Sequence, residues 1–478
     1  MNGCPAPCRA AAGATLLVLL AGCALGPPPL PAQGPLAEAA PLSSPTEVAA
    51  QAPAFPEVGW WRSYGDATLD DLIMRALDGA PGLASAEARF GTAQENVRVA
   101  GASAGMTING EASYQRLRLS ETGLLPPEFL GFTQYGQADA GIRARFDIDW
   151  WGRRKALIDS ASDNALAARA ESQAAALALA SGIAESYFGW QADAARIALL
   201  EQRLQALAGS ERIARRRESA GLDRGEATET YVREQATARE LRAQLEGSQQ
   251  LKRVQIAALL GVAPDTLPPF ESHPLPVVEP HWPANAGLDL IARRPDIAAS
   301  RWRVEAARRD LDVVRTEYYP NLSINALVGL SSIEPETLFK GASGVPSLGI
   351  ALHLPFYDGL RDARHNVAAA QLTSAIARYN ETVVDAAREV SLSAASLTQS
   401  GAQRRQREQA LAAASESLRM ASARSKAGLT DLRPELDARV VLLREEDLKV
   451  LLDQAALVAD VQLQEALGGG YSYTVEIQ

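Results

Sequence analysis

Hydrophobic positions along this chain change period, and they do so twice in the same order. Ile142, Ala144, Phe146 and Ile148 alternate with Arg143, Arg145, Asp147 and Asp149. Leu322, Ile324, Ala326, Val328 and Leu330 alternate with Asn321, Ser323 and Asn325, and Leu348, Ile350, Leu352 and Leu354 with Ser347, Gly349, Ala351 and His353. Met106–Leu119 follows the same rule more loosely through Ile108, Ala112 and Tyr114. Period-two segments of about ten residues predict four strands, each apolar on one face and polar on the other. After Gly152 and after Gly359 the pattern turns helical, rich in Ala, Leu, Glu, Gln and Arg. Proline is absent from Glu128 to Ala263 and from Phe356 to Arg433. A proline inside a helix costs about 3 kcal/mol, so these zones predict long helices. One running Arg153–Ser219 would extend on the order of 100 Å at ~1.5 Å per residue, longer than a globular domain is wide. A rod or duct of coiled helices has that dimension.

The order of elements is an internal repeat. Gly359 follows Gly152 by 207 residues, Gly428 follows Gly221 by 207, and Gly468 follows Gly261 by 207. The breaks read Glu218-Ser-Ala-Gly-Leu222 and Arg424-Ser-Lys-Ala-Gly-Leu429. Each half thus predicts a long α-hairpin, bent at Gly221 or Gly428 and entered through a strand–helix turn at Gly152 or Gly359. Upstream, Pro81 matches Pro295 at an offset of 214, so the first half carries seven more residues before its long helix. A length change of that kind belongs in a loop.

The amino terminus bears on compartment. The apolar run Ala10–Ala21 follows Arg9 and is too short to span a bilayer. It ends Leu20-Ala21-Gly22-Cys23, which resembles a bacterial lipobox, so residues 1–22 are expected to be a signal peptide and Cys23 the lipid-bearing first mature residue. Ala24 favours sorting to the outer membrane. Removing Cys4 and Cys8 would leave one acylated cysteine and no possible disulfide. Residues 23–56, rich in Pro, Ala and Ser, read as the lipidated start and an extended tether.

Composition narrows the function. Net charge is −10, and no Lys/Arg-rich patch with interleaved aromatics occurs, which argues against nucleic acid. No second long apolar run exists, which argues against a helical membrane protein. His273, His281, His353 and His365 are not at metal-ligand spacing, Met74, Met106 and Met420 are scattered, and no nucleophile–base pair stands out. Neither enzyme chemistry nor a cofactor or metal is expected. Four strands cannot close a membrane barrel, since the smallest bacterial barrels have about eight, and an open edge in lipid leaves backbone groups unpaired. Several copies must therefore share one barrel; two would fill its interior with side chains and three would leave a lumen.

Ile291-Ala-Arg-Arg-Pro-Asp-Ile297, Tyr319-Pro-Asn-Leu322, Asp149-Trp-Trp-Gly-Arg153 and Trp60-Trp61-Arg-Ser-Tyr-Gly-Asp66 with Leu69-Asp-Asp-Leu72 together resemble the TolC-like outer-membrane efflux family, nearest its lipoprotein, NodT-type branch. The likeness runs over about residues 57–469. It implies a mainly α-helical chain whose homotrimer forms a 12-stranded membrane barrel and an α-helical periplasmic barrel. It also implies an exit duct for an inner-membrane pump, of the resistance-nodulation-division type, joined through a periplasmic adaptor. The segments expected are a first repeat at 57–264, a connector at 265–284, a second repeat at 285–469 and a tail at 470–478.

A passive duct must close at rest, and the Gly221 and Gly428 breaks join the helices at its periplasmic end. Asp437, nine residues past Gly428, matches an aspartate that relatives place at that end; three copies would form an acidic ring favouring cations. Arg433 stands where a relative has an apolar constriction residue, and Val440 where it has an Arg. Arg433 and Arg439 are candidate partners for Asp437, and Glu435 and Asp431 are alternative acids. All five also suit plain solvated charges at a helix start, where Pro434 is ordinary. Competing functions are a non-conducting coiled-coil lipoprotein of the outer membrane and a type I secretion duct.

Overall fold

A computed structural model describes residues 27–29, 34–38, 55–103, 105–120, 130–279, 293–356 and 358–471. The signal peptide, Cys23, His281 and most of the tail lie outside the described residues. The elements follow the repeat. The first half runs α2 (Pro81–Ser103), β1 (Thr107–Arg118), β2 (Gln134–Ile148), α3 (Arg153–Ser219) and α4 (Glu226–Leu260). The second runs α5 (Pro295–Thr316), β3 (Asn321–Ser332), β4 (Ser347–His353), α6 (Gly359–Lys426) and α7 (Arg433–Ala466). A 3-10 turn, Trp60–Tyr64, and α1, Ala67–Gly79, precede both. α3 has 67 residues and α6 has 68. Among the described residues no helix is long and apolar enough to cross a membrane.

The chain divides into two compact units, and each repeat contributes to both: residues 91–166 and 302–377 to one, 167–301 and 378–478, with 36–90, to the other. The first unit holds one antiparallel sheet in the order β1-β2-β3-β4. Its register aligns Ile108 with Ala144, Ala144 with Ala326 and Ala326 with Leu348, and likewise Phe146 with Ile324 and Ile324 with Ile350. These apolar rows share one face, and that face is bare: Ile350 is 72% exposed and Val328 70%. The opposite face is wired by polar contacts, Ser331 Oγ donating to Asp139 Oδ1 at 2.6 Å and Arg145 pairing with Asp147 at 3.2 Å. A sheet with its apolar side outward suits lipid rather than water. Among the described residues, β1 and β4 are edges with no further strand beside them.

β2 begins at Gln134, eight residues before the alternation that marks it, because Gly136, Ala138 and Ala140 carry little hydrophobic contrast. Gly152 has φ +75 ahead of α3, as a strand–helix turn requires. Gly359 differs. It is the first residue of α6, without positive φ, and Asp358 Oδ1 caps the helix by accepting from Leu360 N at 2.9 Å.

The second unit is organised around an apolar hub. Trp60, Trp61, Leu69, Leu72 and Ile73 pack against Ile183, Tyr187 and Phe188 of α3, Ile256 and Leu260 of α4, and Leu457 and Val461 of α7. Phe270, from the connector, closes it. A polar chain locks the hub: Tyr187 OH donates to Asp66 Oδ2 at 2.8 Å, while Asp66 Oδ1 caps α1 by accepting from Thr68 N and Leu69 N. Burial first, then the Asp66 carboxylate, pushes the Tyr187 phenol well above its ordinary pKa, so it stays a donor. Gln191 Nε2 donates to Tyr187 OH and to Glu271 O, and Gln191 Oε1 accepts from His273 N, which pins the connector. In the tether, Ala37 N donates to Asn380 Oδ1 and Ala37 O accepts from Tyr379 OH, both on α6.

Candidate functional site

The two helical hairpins turn by the same device. Leu222 N donates to Arg217 O at 2.8 Å and Leu429 N to Arg424 O at 3.0 Å, with Gly221 and Gly428 both at φ +69. The six-residue loop-back and the left-handed glycine make a Schellman cap, which only glycine adopts cheaply. Leu222 and Leu429 are left exposed at the tips.

Behind the first tip, α3 presents a polar residue every seventh position: Arg196, Arg203, Ser210 and Arg217. A seven-residue spacing returns to nearly the same face of a helix, so the four form a seam. Each meets α4, α7 or the turns. Arg196 grips Asp447 of α7 through Nε at 2.7 Å and Nη2 at 3.4 Å. Arg203 and Arg444 both face Glu234 of α4, at 3.8 and 2.8 Å. Burial and then the charge of Arg444 depress the Arg203 pKa. Ser210 Oγ donates to Asp437 Oδ1 at 2.9 Å, and Tyr231 OH of α4 lies 3.0 Å from both oxygens of the same carboxylate. Arg217 pairs with Asp223 at 2.7 Å and Asp431 at 3.4 Å, and Asp223 also takes Arg433 at 3.0 Å. These four rungs, counted toward the tip, form a polar ladder joining three helices.

Electrostatics fit the ladder. Burial first, then the Asp437 bond and charge, pushes the Tyr231 phenol up to about 12, so it remains protonated and donating. Hydrogen bonding from Arg217, with further help from Arg433, holds Asp223 below the usual carboxylate range. Bonds from Arg215 and Gln235 do the same for Glu211. Beside the ladder lies a small apolar cluster of Leu200, Ala206, Leu207, Ala238, Leu245 and Val440. Val440, where an Arg was the comparison from sequence, is thus a packing residue. A second seam joins α6 to α7, with Arg404 on Asp453 at 3.0 Å and Arg407 on Glu445.

The structure distributes the five expected residues unevenly. Asp437 is half-buried and held by Ser210 and Tyr231, not by Arg433 or Arg439 as sequence suggested. Within the chain it is therefore not a bare carboxylate, because its lone pairs are taken by partners on neighbouring helices. Arg433 belongs to Asp223. Asp431 is exposed, accepts Arg433 N at 3.2 Å as a cap, and takes Arg217. Glu435 is half-buried and Arg439 exposed, and neither pairs with another described residue. Sequence reasoning missed Ser210, Tyr231, Arg217 and Asp223. The seven-residue recurrence on α3 was the signal that could have found the seam, although not its partners. Elsewhere, His353 ends β4 in the open, whereas His365 is buried on α6 with its ring edge-on to Tyr318, 5.8 Å away.

The family model described as outer membrane efflux protein matches residues 72–262 and 288–469. Multidrug resistance outer membrane protein MdtP of Escherichia coli K12 is 31% identical over 426 residues, covering 87% of this chain and 87% of that protein. The solved outer membrane protein VceC of Vibrio cholerae is 28% identical with a TM-score of 0.76, covering 87% of this chain and all of that one. The outer-membrane channel OprN, at 22% identity, superposes with a TM-score of 0.82 over 93% of this chain and 99% of its own, and shows the shared fold.

Proposed function

The chain belongs to the outer membrane efflux protein family, and we propose that it serves as a homotrimeric exit duct whose periplasmic end is held shut by the polar ladder. It is not an enzyme. It conducts drugs and other small solutes passively out of the cell, and the work is done by an inner-membrane pump that reaches it through a periplasmic adaptor. The pump is of the resistance-nodulation-division type, and Cys23 carries a lipid anchor in the outer membrane.

The observation that carries the reading is the sheet: four strands, an exposed apolar face and two open edges. Lipid forbids the open edges, so β1 and β4 must pair with other copies. Three copies of four strands make a barrel wide enough for water. A water-filled path removes the cost of carrying polar solutes through hydrocarbon, and the duct supplies no energy of its own.

At rest the duct must not leak. α3, α4 and α7 end in the ladder, and Asp437 sits on its third rung toward the tip. Parting α7 from α3 and α4 would hand carboxylates, hydroxyls and guanidinium groups to water, which solvates them well. The test is twofold. The protein extracted from an outer-membrane fraction should run at about three times the mass of the processed chain, and should restore drug resistance to a host lacking its own ducts when the cognate pump and adaptor are supplied. A monomer released by cutting the lipid anchor alone would overturn the shared barrel. A trimer that restores secretion of a protein substrate and not drug resistance would overturn the solute assignment.

A further inference from the structure

Within the first unit, a cavity of about 900 Å³ lies at the ends of the strands from which the long helices leave. One wall is Arg361, in the first turn of α6 and only 6% exposed. Its guanidinium carbon stands 4.2 Å over the Tyr318 ring. Its Nε and Nη1 have no hydrogen-bond partner among the described residues. Two buried nitrogens of a cation left without an acceptor are unfavourable even though the group also engages Tyr318, and their position on the cavity wall calls for an anion there.

Two further cations line the same space. Arg153 and Arg154, at the start of α3, form no ion pair through their side chains with a described residue. The N-termini of α3 and α6 both reach the cavity and add positive potential. Four carboxylates are also present, and all are engaged. Asp147 holds Arg145 at 3.2 Å, Asp149 caps Arg154 N at 3.1 Å, Asp358 caps Leu360 N at 2.9 Å, and Glu317 faces Arg364 at 3.6 Å. Each acid has a polar or charged partner, while none of the three guanidinium groups is paired with a carboxylate among the described residues.

Aromatic side chains mark the depth of the cavity. Trp151 stacks on Tyr319 at 4.6 Å and 22°, donating Nε1 to Pro320 O, while Trp150 and Phe356 are exposed. Such residues at the ends of barrel strands sit at lipid headgroup level.

We propose that this cavity binds the phosphate headgroup of a glycerophospholipid from the periplasmic leaflet of the outer membrane, with Arg361 as its anchor and Arg153 and Arg154 as outer contacts. The proposal rests on the membrane-barrel reading of the sheet. Inorganic phosphate offers the same oxyanion without acyl chains, so the experiment must separate the two.

The full-length protein would be extracted in mild detergent, exchanged to remove loosely held lipid, mixed with phosphatidylglycerol, and examined by native mass spectrometry. The wild type should retain phospholipid adducts, and 50 mM inorganic phosphate should not displace them. Arg361→Gln should lower the retained fraction at least fivefold, and Arg361→Lys should keep most of it. If Arg361→Gln does not assemble, the double variant Arg153→Gln/Arg154→Gln should still lower retention at least twofold. Equal retention in wild type and variants, or none in the wild type, would overturn the proposal. So would displacement by phosphate alone, which would make the site a phosphate site. The same spectrum reports the oligomer: a trimer without lipid sinks only this inference, whereas a monomer sinks the barrel reading beneath it.

Discussion

Near Tyr187 and Phe188, α3 meets α4 and α7 through apolar side chains; near Ser210, the same three helices meet through hydroxyls, carboxylates and guanidinium groups. Among the described residues the hub buries twenty hydrophobic residues, several of them large and fully enclosed, against six in the cluster beside the ladder. The difference decides where the helices can part. Separating the hub would expose apolar area at about 25 cal/mol per Å², with no compensation from water. Separating the ladder exchanges internal hydrogen bonds for hydrated ones, at a net of about 1 kcal/mol for each bond. Parting the helices at the hub would therefore cost far more than parting them at the ladder.

The sharpest way to break that contrast is to empty the hub. Phe188→Ala removes a ring that is 1% exposed and should cost about 3–5 kcal/mol. Thermal unfolding should show a large fall in Tm, with unchanged conductance for any channels that still assemble. A neutral result would mean that the hub is not the core of this unit.

The third rung comes next. Asp437→Ala strands the Ser210 and Tyr231 donors and should cost about 1–3 kcal/mol locally. Tyr231→Phe removes only one bond and should cost about 1 kcal/mol. Amide hydrogen exchange should rise around residues 205–235 and 430–445 in both variants, more in the first, while amides of the hub stay protected. Faster exchange in the hub to the same extent would merge the two regions into one.

At the tip the effects shrink and become sensitive to solution conditions. A double-mutant cycle on Asp223 and Arg433 should give only a small coupling, and it should fall with added salt. Asp223 and Glu211 are held below their ordinary range in the folded chain. Their contribution is therefore present above about pH 4 and lost as pH falls through the lowered folded values. Exchange at the tip, corrected for intrinsic rates, should accelerate below that pH and stay flat between pH 5 and 8. Acceleration on raising the pH would contradict the assignment. Smallest of all, Glu435→Gln and Arg439→Ala should change stability by less than about 0.5 kcal/mol, since neither side chain pairs with another described residue. A larger change would place one of them at a contact between copies.

How much of this could be read beforehand depends on range. The helix Arg153–Ser219 was legible to the residue, because proline exclusion and a glycine stop act locally. The strands were legible wherever one face is strongly apolar, as in β3, and faded at the Ala- and Gly-rich start of β2. Gly152 and Gly359 looked equivalent by repeat, yet only the first adopts a left-handed backbone, since Asp358 lets α6 start on the glycine itself. Asp437 was found by its distance from Gly428, but its partners lie 227 and 206 residues away on other helices, and no local rule reaches them. The pairing of Asp223 with Arg433, 210 residues apart, was hidden for the same reason.

The most direct test of the central claim is the closed-state conductance of the purified trimer in a planar bilayer, without pump or adaptor, for the wild type and Asp437→Ala. A fastening at Ser210, Tyr231 and Asp437 predicts that the wild type stays nearly closed and that the variant opens to a larger, more frequent conductance at the same voltage. Identical conductance in the two proteins, with the trimer intact in both, would contradict the claim that the ladder keeps the duct shut.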